Sequence, residues 1–130
     1  MQGPPPELRR GRGLSRKRAG DRGEELALRY LQRRSYSLVA RNYRRRGGEI
    51  DLILRQDETL VFVEVKLRRG IGFGDPVESV TPRKQARIRA VAEQYLAEEE
   101  PEFFEARFDV VGILSDDNRP SRIQHIQDAF

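Results

Sequence analysis

The chain has 130 residues, a formal net charge of +4 and 35% charged residues, which makes a single domain long enough to bury its own core. With no cysteine and one histidine, disulfides, thiolate metal sites and His-rich zinc sites are excluded. No apolar run approaches the roughly 18 residues of a membrane span, and the basic N-terminus lacks the apolar segment of a signal peptide, so an intracellular, cytoplasmic address is expected.

The charge is unevenly placed. Residues 29–46 hold seven arginines and no acid, and residues 93–105 hold six acids and no base. A basic surface set apart from an acidic one suggests a polyanion on the basic side.

Residues 1–19 are rich in Pro, Gly and Arg and offer almost nothing to bury, so they are expected to be a disordered tail. That tail is either a solvated leader or a non-specific phosphate-binding arm. Residues 20–130 then form the domain. A helix is expected from Asp21 to about Arg34, with Asp21 as N-cap and Glu24 completing a capping box. Ala27, Leu28 and Leu31 follow Glu24 at helical spacing and make the apolar stripe. Glu24 therefore either caps the helix or looks inward from the top of that stripe.

A strand is expected from Tyr36 to about Tyr43, followed by Arg44-Arg45-Arg46-Gly47-Gly48 as a flexible basic loop. The arginines fit a solvated loop and a phosphate clamp equally well.

From Gly48 to Lys66 apolar and polar residues alternate in two runs, separated by Gln56-Asp57-Glu58-Thr59. This spells a β-hairpin. Centring the turn between Asp57 and Glu58 pairs Gln56 with Thr59, Leu52 with Val63, Asp51 with Glu64 and Glu49 with Lys66. Two carboxylates directly opposite each other destabilise a sheet by up to about 1 kcal/mol. A divalent cation held between Asp51 and Glu64, with Lys66 as the nearby positive charge, is the simplest reason to place them so. A loop one residue longer would send the two carboxylates to opposite faces unless a bulge restored the parity.

Residues 67–76 are glycine-rich but lack the lysine and hydroxyl of a phosphate-cradling loop. They read as a mobile flap or as an ordinary connection. Thr81-Pro82 opens a second helix, with Thr81 as N-cap and Pro82 at its first position. Ile88, Val91, Ala92, Tyr95 and Leu96 form the buried stripe, and Arg83, Lys84, Arg87 and Arg89 load the first half with positive charge. Arg107 to Leu114 is apolar on both sides, as in a strand covered on both faces. Asp116-Asp117-Asn118 reads as a turn, and Ile123 to Ile126 as a short last strand on which His125 is packed or exposed rather than catalytic. Helix, three strands, helix and two strands give an α/β sandwich: an antiparallel meander, then a helical crossover returning a strand to the same mixed five-stranded sheet.

Asp51 followed by Glu64-Val65-Lys66 on the next strand, between an acidic and a basic helix, resembles the restriction-endonuclease-like nuclease superfamily. Holliday-junction resolvases are similar in size and strand order. Gly23-Glu24, Arg41-Asn42, Gly48-Glu49-Ile50-Asp51, Phe62 to Lys66, Arg107 to Val111 and His125 to Phe130 together resemble the YraN-type family of small bacterial proteins. In the superfamily the aspartate often follows a proline; here Ile50 precedes it.

The resemblance implies an αβββαβ core and a metal-dependent, endonuclease-like phosphodiesterase acting on nucleic acid, expected to be structure-selective on DNA. It implies Mg²⁺ or Mn²⁺ held by Asp51, Glu64 and the carbonyl of Val65. Lys66 would act on the attacking water, and Glu24 would bind metal through water or hold a second cation. Arg44, Arg45, Arg46, Arg83, Lys84 and Arg87 would hold the phosphate backbone, which positions nucleic acid without reading its sequence. A homodimer is expected by analogy. Two other readings stay open: a non-catalytic nucleic-acid-binding module that needs only the arginines, and a protein–protein adaptor that needs neither metal nor arginines.

Overall fold

The computed structural model describes residues 11–69, 76–116 and 119–130. The elements in order are α1 (Gly11–Gln32), β1 (Ser37–Arg45), β2 (Gly48–Gln56), β3 (Thr59–Arg69), α2 (Pro82–Glu99), β4 (Glu105–Asp116) and β5 (Arg119–Ile126). The strands form one mixed sheet in the order β1-β2-β3-β4-β5. The first three are antiparallel, β4 joins β3 in parallel through the α2 crossover, and β5 returns antiparallel.

The two helices cover opposite faces. Ala27, Leu28 and Leu31 of α1 pack on Leu52, Leu54, Val61, Val63, Val111 and Ile113. Ile88, Val91, Ala92 and Tyr95 of α2 pack on Ile53, Leu60, Phe62 and Val110. The central strands are thus apolar on both faces because both faces are covered. Burying each such side chain contributes about 1.5–3 kcal/mol. Phe62, Phe108 and Phe130 stack in series, with centroids 5.4 and 5.3 Å apart, and tie the C-terminus to the α2 side.

The hairpin register is the one the turn position implies: the pairs run from Gln56/Thr59 to Leu52/Val63. Asp57 makes the turn with a left-handed φ of 53°, which aspartate tolerates better than most side chains. Thr81 caps α2, its hydroxyl accepting the Lys84 N–H at 3.2 Å, with Pro82 next.

Three expectations need correction. First, α1 begins at Gly11, so residues 11–19 of the stretch read as a disordered tail are helical, and Asp21 lies mid-helix instead of at a cap. The Arg and Lys of that stretch are good helix formers. Second, residues 44–48 are not a flexible loop. β1 runs to Arg45, which pairs with Gly48 across a two-residue turn where Gly47 takes φ 93°. Third, the last strand starts at Arg119 rather than near Ile123. Residues 1–10, the glycine-rich stretch 70–75 and the turn residues 117–118 lie outside the described residues.

Candidate active site

At Leu52 the pairing between β2 and β3 ends. One residue earlier the Asp51 carboxylate takes over from the backbone: its Oδ2 accepts the Val65 N–H at 2.8 Å. Ile50 packs with the α2-side core although Leu52 packs with the α1-side core, so strict alternation fails at Asp51. The strands part at this point, and the gap becomes a cleft of about 450 Å³. Its wall includes Gly48, Asp51, Glu64, Thr81, Lys84 and Arg87. A Cβ on Gly48 would come within 3.3 Å of Val91 on α2, so the Val91 side chain would have to give by a few tenths of an ångström.

The structure therefore brings Asp51 and Glu64 to one cleft. Glu64 is 6% exposed. Burial first, and then the Glu64 charge, push the Asp51 carboxyl up to about 7, against the opposing effect of the Val65 N–H. Glu64 has two lysine neighbours: Lys84 Nζ at 2.9 Å and Lys66 Nζ at 3.7 Å from the same Oε1. Burial, and then the adjacent Lys84, lower the Lys66 pKa. Burial also opposes charge on Lys84, but contact with Lys66 and with Glu64 outweighs it, and the Lys84 pKa lies above the usual value.

Glu24 enters from α1. Mid-helix, it cannot be a capping residue. It is half-buried; burial raises its pKa, a hydrogen bond with the Asn42 side chain opposes this, and Asp21 and Glu49 raise it further. Asn42 reaches it from a left-handed kink in β1 at φ 49°. Glu24 Oε1 is buried without a hydrogen-bond partner, an arrangement that costs about 1–3 kcal/mol. Its charge is felt at Asp51.

A hard divalent cation fits this donor set. The groups are all oxygen, two carboxylates repel each other in a buried cleft, and a further carboxylate oxygen nearby has no donor. Among the described residues no three His, Cys, Asp or Glu side chains converge as a ready-made cage. A cation here would take Asp51 and Glu64 and complete its shell with backbone carbonyl and water, as Mg²⁺ commonly does.

Other expectations come out differently. Glu49 does not face Lys66, because the β2–β3 ladder stops short of it; its carboxylate pairs with Arg44 at 3.2 Å. Arg45 is held by Glu98 at 2.8–3.0 Å and lies 4.1 Å over the Tyr43 ring. Arg41 pairs with Glu25 at 3.0 Å. The acidic end of α2 and the basic hairpin are thus in contact at Arg45–Glu98 and are not separate surfaces. Arg46 is exposed, and among the described residues its guanidinium has no ion-pair partner. Arg83 and Arg87 line the cleft beside Lys84.

One buried cluster was not anticipated. Asp109 on β4 is fully buried and accepts from Arg107 at 3.0 and 3.2 Å and from the Asp128 N–H at 3.0 Å, with His125 Nε2 at 2.7 Å. Arg107 also donates to the Tyr36 hydroxyl at 2.6 Å. The i, i+2 spacing of Arg107 and Asp109 was the available signal. The His125 contact depends on β4–β5 pairing, where Val111 faces His125, and no local pattern reveals it.

Fold and cleft together define an α/β protein whose mixed sheet splays at an Asp and a Glu-x-Lys, beneath the basic start of a crossover helix. Residues 23–113 match the family described as "Uncharacterised protein family UPF0102", and the chain belongs to that family. It is 47% identical over 111 residues to a UPF0102 protein of Rhodococcus opacus, covering 85% of this chain and 94% of that one. It is 49% identical over 109 residues to one of Syntrophomonas wolfei, covering 83% and 93%. A third, from Acidothermus cellulolyticus, is 42% identical over 130 residues, covering 92% and 98%. No helix among the described residues is long and apolar enough to cross a membrane.

Proposed function

We propose that this protein is a metal-dependent phosphodiesterase that cleaves nucleic acid, with structure-selective DNA as its substrate class. The observation that carries the reading is the Asp51–Glu64 pair: two carboxylates turned into one cleft, with Asp51 driven up to about 7 by burial and by Glu64. Lys84 and Lys66 balance Glu64, whereas Asp51 has the Val65 N–H, and a cation shared by both carboxylates would offset their repulsion. Mg²⁺ or Mn²⁺ held there by Asp51, Glu64 and the Val65 carbonyl would polarise a phosphoryl oxygen and make bound water more acidic.

The chain's own residues supply the rest. Lys66, whose burial and Lys84 neighbour favour the neutral amine, accepts a proton from the attacking water. The ammonium so formed offsets the charge that builds on the phosphorane-like transition state. Water oxygen bonds to phosphorus as the bond to one sugar oxygen breaks, and that oxygen leaves as the alcohol by taking a proton from a solvent water in the open cleft. Arg83 and Arg87 hold the phosphate backbone across the cleft mouth, a contact that fixes position and reads no base. Glu24, with its donor-free Oε1, binds a metal-bound water or a second cation.

The test is a panel of labelled branched and linear DNA and RNA with Mg²⁺ or Mn²⁺, using wild type and Asp51→Ala. Cleavage by wild type alone supports the reading. Binding without any cleavage, together with no uptake of Mn²⁺, would leave a non-catalytic nucleic-acid-binding module in its place.

A further inference from the structure

We propose that Lys84 is the resident cation of the carboxylate pair: its ammonium holds Glu64 while no metal is bound, and an entering divalent ion displaces it towards the nucleic-acid phosphate. This rests on the reading of the Asp51–Glu64 cleft as a metal site.

Glu64 is 7% exposed at its side chain and is contacted by two ammonium groups, with Lys84 the nearer at 2.9 Å. A divalent ion on the same carboxylate would stand beside both, and like charges at that distance repel strongly in a desolvated cleft. One lysine has to leave. Lys66 sits on β3, two residues from Glu64, and its side chain is 16% exposed. Lys84 comes from a different element, its side chain is 40% exposed, and its four-carbon stem can swing.

Where it goes is set by the first turns of α2. That end of the helix has no acid in its first turn and carries Arg83 and Lys84 there, with Arg87 one turn on. Positive side chains oppose the helix dipole at an N-terminus, where an anion is favoured. Arg83, Lys84 and Arg87 all line the cleft. A phosphate placed there would meet three cations, one of them delivered only when metal arrives. Metal binding and phosphate grip are thereby coupled through a single side chain.

The experiment is calorimetric titration of Mn²⁺ into the full chain as wild type, Lys84→Met and Lys84→Arg. Lys84→Met keeps the stem and removes the charge, so it should bind Mn²⁺ roughly tenfold more tightly or better, one decade being one pKa-sized interaction. Lys84→Arg keeps the competing charge and should show no gain. A wild-type measurement that needs no variant is the NMR signal of the Lys84 ammonium, which should shift on adding Mg²⁺. In a Lys66→Ala background, Lys84→Met should flatten the salt dependence of DNA binding by about one log unit with Mg²⁺ present and leave it unchanged in chelator.

If wild type binds Mn²⁺ and Lys84→Met binds it no more tightly, or the Lys84 signal stays fixed while metal binds, the exchange is overturned and the phosphodiesterase reading stands. If neither wild type nor Lys84→Met takes up metal, the metal site itself fails and the exchange fails with it.

Discussion

Asp109, fully buried, and Asp51, partly buried, are both carboxylates on the sheet, and the protein treats them in opposite ways. Asp109 is surrounded by donors: Arg107, His125 and the Asp128 N–H. Burial works against its charge, but His125, then Arg107, then the Asp128 N–H overcome this and hold its carboxyl below the usual range. Asp51 has one backbone N–H and faces Glu64, and its carboxyl is pushed up to about 7. The same fold can thus surround a buried acid with hydrogen-bond partners that favour its charge. Leaving one under-compensated in an open cleft is a local sacrifice of stability of the kind that binding sites show.

The largest effect that would break or sharpen this contrast is on cleavage. Asp51→Ala should lose both activity and Mn²⁺ uptake. Lys66→Ala should lose activity by at least about 10²-fold while still taking up Mn²⁺, because its ammonium acts on charge present only in the transition state. Cleavage assays and calorimetry on the same preparations check this. A Lys66→Ala variant that cleaves at the wild-type rate removes Lys66 from the role given it.

Next in size is stability. Asp109→Ala leaves Arg107 buried beside an empty acceptor position and should cost about 3–5 kcal/mol. Asp51→Asn should do the reverse in chelator at pH 8. It removes the charge that burial and Glu64 oppose while its amide oxygen can still accept the Val65 N–H, so a gain of about 1–2 kcal/mol is expected. Denaturant unfolding of both variants measures the pair. Equal losses at the two positions would erase the distinction between them.

The two carboxylates also predict two separate pH windows. Asp109 has a folded pKa below its usual 3.8, so the stability it contributes is present above that value and is lost as pH falls through the lower folded pKa. Asp51 has a folded pKa raised from 3.8 to about 7, so the folded state holds the extra proton in between. Its effect is that stability in chelator declines as pH rises from about 4 to about 7. Thermal unfolding across that range should therefore slope downward towards neutrality, and Asp51→Asn should flatten the slope. Mn²⁺ should restore stability above pH 7, where Asp51 is available as the anion.

What the sequence revealed follows the range of the interactions involved. The hairpin register was legible from Gln56/Thr59 to Leu52/Val63, because a two-residue turn and period-two alternation fix parity locally; the expected Asp51/Glu64 cross-strand pair does not form, and Asp51 reaches the cleft where the ladder ends, its carboxylate accepting the Val65 N–H. The cap at Thr81 and the stripe Ile88, Val91, Ala92 and Tyr95 were legible for the same reason. The start of α1 was not, because nothing apolar or capping marks Gly11. Lys84 on Glu64 was hidden because it joins α2 to β3, and Asp109 with His125 was hidden because it depends on the register of β4 against β5. The pairing of Glu98 with Arg45 joins residues 53 apart in sequence, and it changes how the basic stretch must be counted.

That count yields the smallest effect. Seven arginines between residues 29 and 46 suggested a broad polyanion surface. In the fold, Arg44 is paired with Glu49, Arg45 with Glu98 and Arg41 with Glu25. A guanidinium already neutralised by a carboxylate displaces little counterion from a phosphate unless that pair breaks first. Arg83 and Arg87 line the cleft. Each of Arg83→Ala and Arg87→Ala should flatten the log–log salt dependence of DNA affinity by about one unit, whereas Arg45→Ala should change it by much less. Arg46, unpaired among the described residues, should behave like the cleft arginines if the backbone runs past the β1–β2 turn, and like Arg45 if it does not. Affinities measured by fluorescence anisotropy at several salt concentrations separate the cases. A slope reduced as much by Arg45→Ala as by Arg83→Ala would mean that the Glu98 pair opens on binding and that the polyanion surface extends beyond the cleft to the β1–β2 hairpin.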